Sequence, residues 1–177
     1  MNQKNKSYKE TVSAFFSAAF SQDTKTLRAL ADEYIQHNPF IPTGLDSFIK
    51  ALPLLQEDGI SVETIRIFED GNYVFLHNSW KNAQVFGADE MISFDILRFN
   101  ESGKIVEHWD AFTPIVKQTA SGRSQIDGPT DVEDLDKTEN NKVLVKSFVE
   151  DVLSGKNIDK IDNYVSSHQY DQHNPAA

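Results

Sequence analysis

The chain of 177 residues contains no cysteine. That excludes a disulfide framework, a thiol nucleophile and a cysteine-based zinc site. Basic residues are in deficit: 17 Lys and Arg against 27 Asp and Glu leave a formal net charge of -10 and a pI near 4.9. Nucleic-acid and anionic membrane surfaces need cations gathered on one face, so neither is an expected partner. No apolar run approaches the roughly 20 residues of a membrane span. The stretch "VSAFFSAAF" after early lysines has the look of a signal peptide, but Glu10 precedes it and Val12, Phe15, Phe16, Ala19 and Phe20 make a one-sided helical stripe. It is expected to be a core helix of a cytoplasmic protein. Glycine-rich phosphate loops, GxSxG elbows, dinucleotide fingerprints and HExxH spacings are missing too.

What is present describes a globular protein. Hydrophobic residues make up 39% and aromatic residues 11%, with twelve Phe, which is enough for one sizeable core. The length allows one domain of about 100 to 150 residues and an appendage.

Helical periodicity comes first along the chain. Residues 9 to 20 read as one helix and residues 23 to 34 as a second, capped by Asp23 or Thr24 and striped by Leu27, Leu30, Ala31 and Tyr34. The stretch "YIQHNP" suits a short strand ending at Pro39. A third helix is expected in "TGLDSFIKAL", with a capping-box-like start at Thr43 and Asp46 and a stop at Pro53. From residue 61 the period changes to two. "SVETIRIF", "YVFLHNSW", "EMISFDILRF" and "KIVEHWDAF", joined mostly by tight turns, read as a four-stranded meander.

After residue 116 the composition turns polar and then acidic, as in a linker spanning 117 to 137. Beyond it, Val145, Phe148, Val149, Val152 and Leu153 stripe a helix ended by Gly155, and Ile158, Ile161, Tyr164 and Val165 stripe another. "YDQHNP" then repeats "YIQHNP" at Tyr, Gln, His, Asn and Pro. Aligning Phe15 with Phe148, Leu27 with Ile161, Leu30 with Tyr164 and His37 with His173 gives offsets that grow from 133 to 136. Internal duplication is the simplest account, with 138 to 177 as a partial second repeat of two helices and a first strand. Such a segment is too small to stand alone and is expected to pack on another surface.

An αα-hairpin, a short strand, a third helix and an antiparallel meander make an α+β cone, in which helices close a curved antiparallel sheet. The order, together with "YIQHNP", "FDILRF" and "GKIVEHWDAF", resembles the SnoaL-like group of the NTF2-like superfamily over roughly residues 8 to 116. That group includes polyketide cyclases. The resemblance implies a cofactor-independent enzyme doing acid-base chemistry on a small apolar carbonyl compound: aldol condensation or cyclisation, isomerisation, or dehydration. It implies no metal or organic cofactor, a small-molecule ligand and a homodimer. The alternative is a non-catalytic ligand-binding or dimerisation module, because the superfamily reuses the cone widely.

The resemblance places the acidic position of the last strand at Asp110, with His108 and His37 as catalytic partners that orient it or donate to the substrate oxygen. Strand alternation puts Val106, His108, Asp110 and Phe112 on one face, with Ile105, Glu107, Trp109 and Ala111 on the other. It also groups Tyr73, Phe75, His77 and Ser79 against Val74, Leu76, Asn78 and Trp80, and Asp95 with Met91, Ser93, Leu97 and Phe99. His77, Asp95, Phe75, Phe99, Phe112 and Tyr73 are expected to line the substrate site. A carboxylate walled by Phe75, Phe99 and Phe112 has its pKa raised by desolvation, which suits a general base or acid. Trp80 and Trp109 read as core or interface residues.

Overall fold

The computed structural model describes residues 7–176, apart from the side chains of Glu57 and Asp58, and divides into two compact units, Met1–Ile115 and Val116–Ala177.

In the first unit, helix α1 (Tyr8–Phe20) starts where the Ser7 hydroxyl accepts the Lys9 N–H, and it buries Val12, Phe15, Ala18 and Ala19. Asp23 caps α2 (Thr24–Leu30) through the Thr26 N–H. This helix is shorter than its periodicity predicts. At Ala31 the backbone becomes extended and β1 (Ala31–Gln36) begins, so Tyr34 lies on a strand. Glu33 has φ 39°, and the register against the partner strand slips between Ala31 and Ile35. That bulge turns Ala31 and Tyr34 inward although they are three residues apart, so a strand carries a helical spacing.

Helix α3 (Leu45–Ala51) departs from expectation at its start. Its N-cap is Gly44, with φ 103° and no side-chain cap. A backbone angle of that sign favours glycine. Thr43 bonds instead to β1, accepting from the Gln36 N–H at 3.1 Å, and Asp46 pairs with Arg28 at 2.6 Å. Pro53 ends the α-helix, and the chain continues as a 3-10 helix over Leu52–Gly59.

The meander forms as read: β2 (Ser61–Asp70), β3 (Tyr73–Lys81), β4 (Met91–Phe99) and β5 (Ile105–Pro114). The curved, unclosed sheet has the order β1-β5-β4-β3-β2, with β1 parallel to β5 and the other neighbours antiparallel. A bulge in the β4–β5 pairing corrects the face assignment on β5. Arg98 pairs with Glu107 but Phe99 pairs with Ile105, leaving Val106 as the extra residue. Ile105, and not Val106, therefore joins Leu97 and Phe99 in the core beside Val12, Phe15, Leu27, Tyr34 and Leu76.

In the second unit, α4 (Thr138–Phe148) runs into a π-helical turn over Val149–Ser154, and a 3-10 helix spans Ile158–Asn163. Asp151 accepts from the Tyr164 hydroxyl at 2.6 Å and pairs with Lys160 at 3.0 Å. Of the apolar stripe read from sequence, Val152 is buried, whereas Val145, Val149 and Leu153 are exposed. Residues 169–176 form no strand. They are tied to residues 121–127, with Arg123 on Asp171 at 2.6 Å and the His173 ring on Asp127 at 2.9 Å.

Candidate active site

The register fixes which side chains meet on the inner face of the sheet. Asn78 lies opposite Ser93 across β3 and β4, and Asp95 lies opposite Asp110 across β4 and β5. Directly opposed residues bring their Cβ atoms within about 5 Å, so two carboxylates share one patch. β1 completes it from the edge: Gln36 pairs with His108, and the His37 N–H donates to the His108 carbonyl at 3.0 Å.

Asp95 and His108 are both buried. Asp95 Oδ1 lies 3.0 Å from His108 Nε2, while Oδ2 accepts from Ser93 Oγ at 2.5 Å and Asn78 Nδ2 at 2.8 Å. Ser93 Oγ accepts in turn from Trp80 Nε1 at 2.9 Å, and Thr64 Oγ1 bonds to Asn78 Oδ1 at 2.8 Å. On the other side of the imidazole, Nδ1 lies 2.7 Å from the Tyr34 hydroxyl and 3.2 Å from Gln36 Nε2. Burial, then the charges of Asp95 and Asp110, hold the Tyr34 phenol well above its ordinary pKa, so it keeps its proton. Such a network is stable only when each member is satisfied.

Asp110 differs from Asp95 in its surroundings. It is partly buried and takes both of its bonds from one amide, with Asn38 Nδ2 at 2.9 and 3.1 Å from its two oxygens. Desolvation raises its pKa above the ordinary carboxylate value and the charge of Asp95 adds to the rise, against the Asn38 hydrogen bond and the pull that His108 exerts when it is protonated. Asp110 stands where two spaces meet. Inward is a cavity of about 60 Å³ lined by Phe16, Gln36, Asp95, His108 and Phe112, and outward is a groove of about 700 Å³ lined by Phe40, Ile41, Leu54, Val85 and Phe86. Asn38, Ile41, Phe86, Asp110 and Phe112 border both.

The structure thus brings Asp110, His108, Asp95 and Phe112 together, and it separates the other expected residues from them. Tyr73, Phe75 and His77 are on the outer face: Tyr73 lies against Trp109, Phe75 stacks on Phe68 and His77 stacks on Phe94. The reason is the pairing of Asn78 with Ser93, which turns Val74, Leu76, Asn78 and Trp80 inward. Phe99 is inward and fully buried, but it packs on Tyr8 at 4.2 Å within the main core and does not wall Asp110. His37 is outward as well. Its ring stacks on Trp109 at 4.9 Å, and Nε2 lies 2.9 Å from Glu107, which also takes Arg98 at 2.6 Å. Burial opposes the ionisation of Glu107, yet these two partners outweigh it and lower its pKa.

Tyr34, Gln36, Asn38, Asn78 and Ser93 were not expected at the site. A signal for the first three was present: with a period of two, Tyr34, Gln36 and Asn38 share a face that excludes Ile35 and His37. Among the described residues, no group of three or more His, Asp and Glu side chains is placed to hold a metal ion. No helix among them is long and apolar enough to cross a membrane.

No family model and no curated protein sequence matches the chain. Solved structures do. A protein described as a polyketide cyclase from Bacillus cereus ATCC 10987 is 17% identical, over 63% of this chain and 78% of its own, with a TM-score of 0.51. A SnoaL-like polyketide cyclase from Agrobacterium tumefaciens str. C58 is 13% identical over 61% and 92%, with a TM-score of 0.50. An NTF2-like protein of unknown function from Cytophaga hutchinsonii ATCC 33406 is 14% identical over 64% and 96%, at 0.49. At these identities the likeness is one of fold alone: the first unit shares its helix-closed, curved sheet with these two cyclase structures.

Proposed function

We propose that this SnoaL-like cone is a cofactor-independent enzyme that performs acid-base chemistry on a small, largely apolar carbonyl compound. The observation that carries the reading is the pair of opposed carboxylates in unlike settings: Asp95 buried and saturated with donors, Asp110 desolvated and open to an apolar groove. A carboxylate whose pKa is raised by desolvation at the edge of an apolar groove marks a candidate acid-base group. Asp110 removes a proton from the carbon beside the carbonyl and returns one later in the cycle. Asn38, already bonded to Asp110, holds an amide donor where an enolate oxygen forms. His108 and Asp95 fix the electrostatic setting from behind. His37 faces away and has no part in this scheme.

The groove falls within the roughly 300 to 1,000 Å³ of small-molecule sites, whereas the inner cavity admits only a methyl-sized group or water. The substrate therefore lies in the groove with its reacting carbon at Asp110. Aldol ring closure, isomerisation and dehydration all share the first proton abstraction. Deuterium exchange at the α-carbon of candidate ketones, compared between wild type and Asp110→Asn, tests it. Equal exchange by both proteins removes Asp110 from the mechanism.

The outer face favours a second role beside the first. Phe94 and Phe68 are 53% and 50% exposed there, stacked on His77 and Phe75, which suits a homodimer surface. Phe94→Asp should then lower the mass measured by light scattering, and an unchanged monomer mass in both proteins removes the dimer.

A further inference from the structure

The stretch that supplies Gln36 and Asn38 makes the same local bonds in both of its occurrences. The Asn38 N–H donates to Gln36 Oε1 at 3.1 Å and the Phe40 N–H to Asn38 Oδ1 at 2.8 Å. In the other, the Asn174 N–H donates to Gln172 Oε1 at 2.9 Å and the Ala176 N–H to Asn174 Oδ1 at 2.9 Å. A backbone N–H only donates, so the glutamine oxygen must face it and the amide nitrogen must face the other way. No imidazole lies at that end in the second occurrence, where Gln172 Nε2 meets the Tyr170 hydroxyl at 3.3 Å. The amide orientation is therefore a property of the Gln-His-Asn stretch itself.

In the first occurrence the amide nitrogen meets His108 Nδ1. An amide nitrogen carries hydrogens and offers no lone pair, so the imidazole nitrogen opposite it must be the acceptor. The Tyr34 hydroxyl, 2.7 Å from Nδ1, keeps its proton and donates to the same bare nitrogen, in agreement with the amide. At the far side of the ring the Asp95 carboxylate only accepts, which places the ring hydrogen on Nε2. The groups that face His108 are Tyr34 and Gln36 from β1, Asp95 from β4, the charge of Asp110 from β5 and the edge of Phe16 from α1.

We infer that Gln36 is a positioning residue: its amide holds His108 as the neutral Nε2–H tautomer, so that Asp95 presents its negative charge to Asp110 without a neighbouring imidazolium to cancel it. The consequence for turnover rests on the reading of Asp110 as the acid-base group; the protonation state does not. With His108 neutral, the opposed carboxylates resist simultaneous ionisation and Asp110 keeps its proton more readily. A second proton on His108 would reverse this. Gln36 thus acts on the reaction without touching substrate.

The test is nitrogen NMR of the full chain labelled with ¹⁵N-histidine at pH 7, without ligand, with the His108 signals assigned by their loss in His108→Gln. Wild type should show one bare and one protonated ring nitrogen at His108, the hydrogen on Nε2. In Gln36→Glu the new carboxylate still accepts from the Asn38 N–H and adds an acceptor at Nδ1, so the Nδ1 signal should move to the protonated region. Gln36→Met, which fills the same space without a donor, removes the amide that requires a bare Nδ1, so its Nδ1 signal should shift toward the protonated region while Nε2 keeps its hydrogen on Asp95. Two protonated nitrogens in wild type overturn the inference, and so do variant spectra identical to wild type. Because the spectrum is read without substrate, its outcome is independent of whether Asp110→Asn loses turnover.

Discussion

Replacing Ser93 by Ala removes one oxygen atom from the place where the polar network is most crowded. That hydroxyl is fully buried, donates to Asp95 at 2.5 Å, and accepts from the Trp80 indole at 2.9 Å and from Asn78 at 3.4 Å. A hydrogen bond to a charged group contributes about 1.5 to 3 kcal/mol, and an orphaned buried donor costs about 1 to 3 kcal/mol. The indole N–H is such a donor, because the surrounding Phe20, Phe86 and Phe112 rings offer it no oxygen. The expected loss is about 3 to 5 kcal/mol, out of the roughly 5 to 15 kcal/mol that holds a typical domain together. Urea unfolding followed by circular dichroism and tryptophan fluorescence should show the midpoint fall with an unchanged slope. A double-mutant cycle then assigns the cause: in an Asp95→Asn background the same substitution should cost at least about 1 kcal/mol less, since the charged acceptor is gone. A loss under about 1 kcal/mol in Ser93→Ala, or full additivity in the cycle, would refute the argument that this hydroxyl sustains the buried carboxylate.

Other outcomes follow from the same geometry. Asp110 has a folded-state pKa above its unfolded value, so the native state holds the proton longer and stability falls as pH rises through that window. Asp110→Asn should therefore flatten the fall in stability that wild type shows as pH rises above the ordinary carboxylate range, while abolishing α-carbon exchange; a steeper dependence would contradict it. Glu107 has the opposite sign, its folded value being depressed, so Glu107→Gln should remove stability that wild type holds above the ordinary carboxylate range and loses on acidification. His37→Ala breaks a stack on Trp109 and a half-exposed ion pair, and should cost no more than about 1 kcal/mol with α-carbon exchange unaltered. Phe15→Ala should cost about 3 to 5 kcal/mol in a thermal or urea melt, because Phe15 is 1% exposed between Phe48 and Tyr34.

The four strands of the meander were legible because tight turns bound them and their alternation is unbroken over most of their length. Where alternation breaks, the reading failed. The bulge at Glu33 gave β1 the spacing of a helix, and the bulge at Val106 exchanged the faces of Ile105 and Val106. Alternation also sorts residues into two faces without naming the inner one. On β3 the face with Tyr73, Phe75 and His77 is aromatic and polar, and so is the face with Asn78 and Trp80. What decides between them is long-range: Asn78 and Trp80 go inward because Ser93 and Asp95 await them on β4. That Asp110 and His108 share the inner face was legible from their spacing on β5. Gln36 and Asn38 were obscured by the histidine between them, a residue type with more obvious chemistry that points the other way.

The parallel seam between β1 and β5 has a further meaning for how this site works as matter in motion. Tyr34, Gln36 and Asn38 all belong to an edge segment of the sheet, whereas Asp95 and Asp110 lie on two interior strands. Edge segments open locally at a fraction of the global unfolding free energy. The edge that supplies Tyr34, Gln36 and Asn38 is therefore expected to open while Asp95 and Asp110 stay folded, and amide exchange along 31–38 would time how often the cluster is assembled.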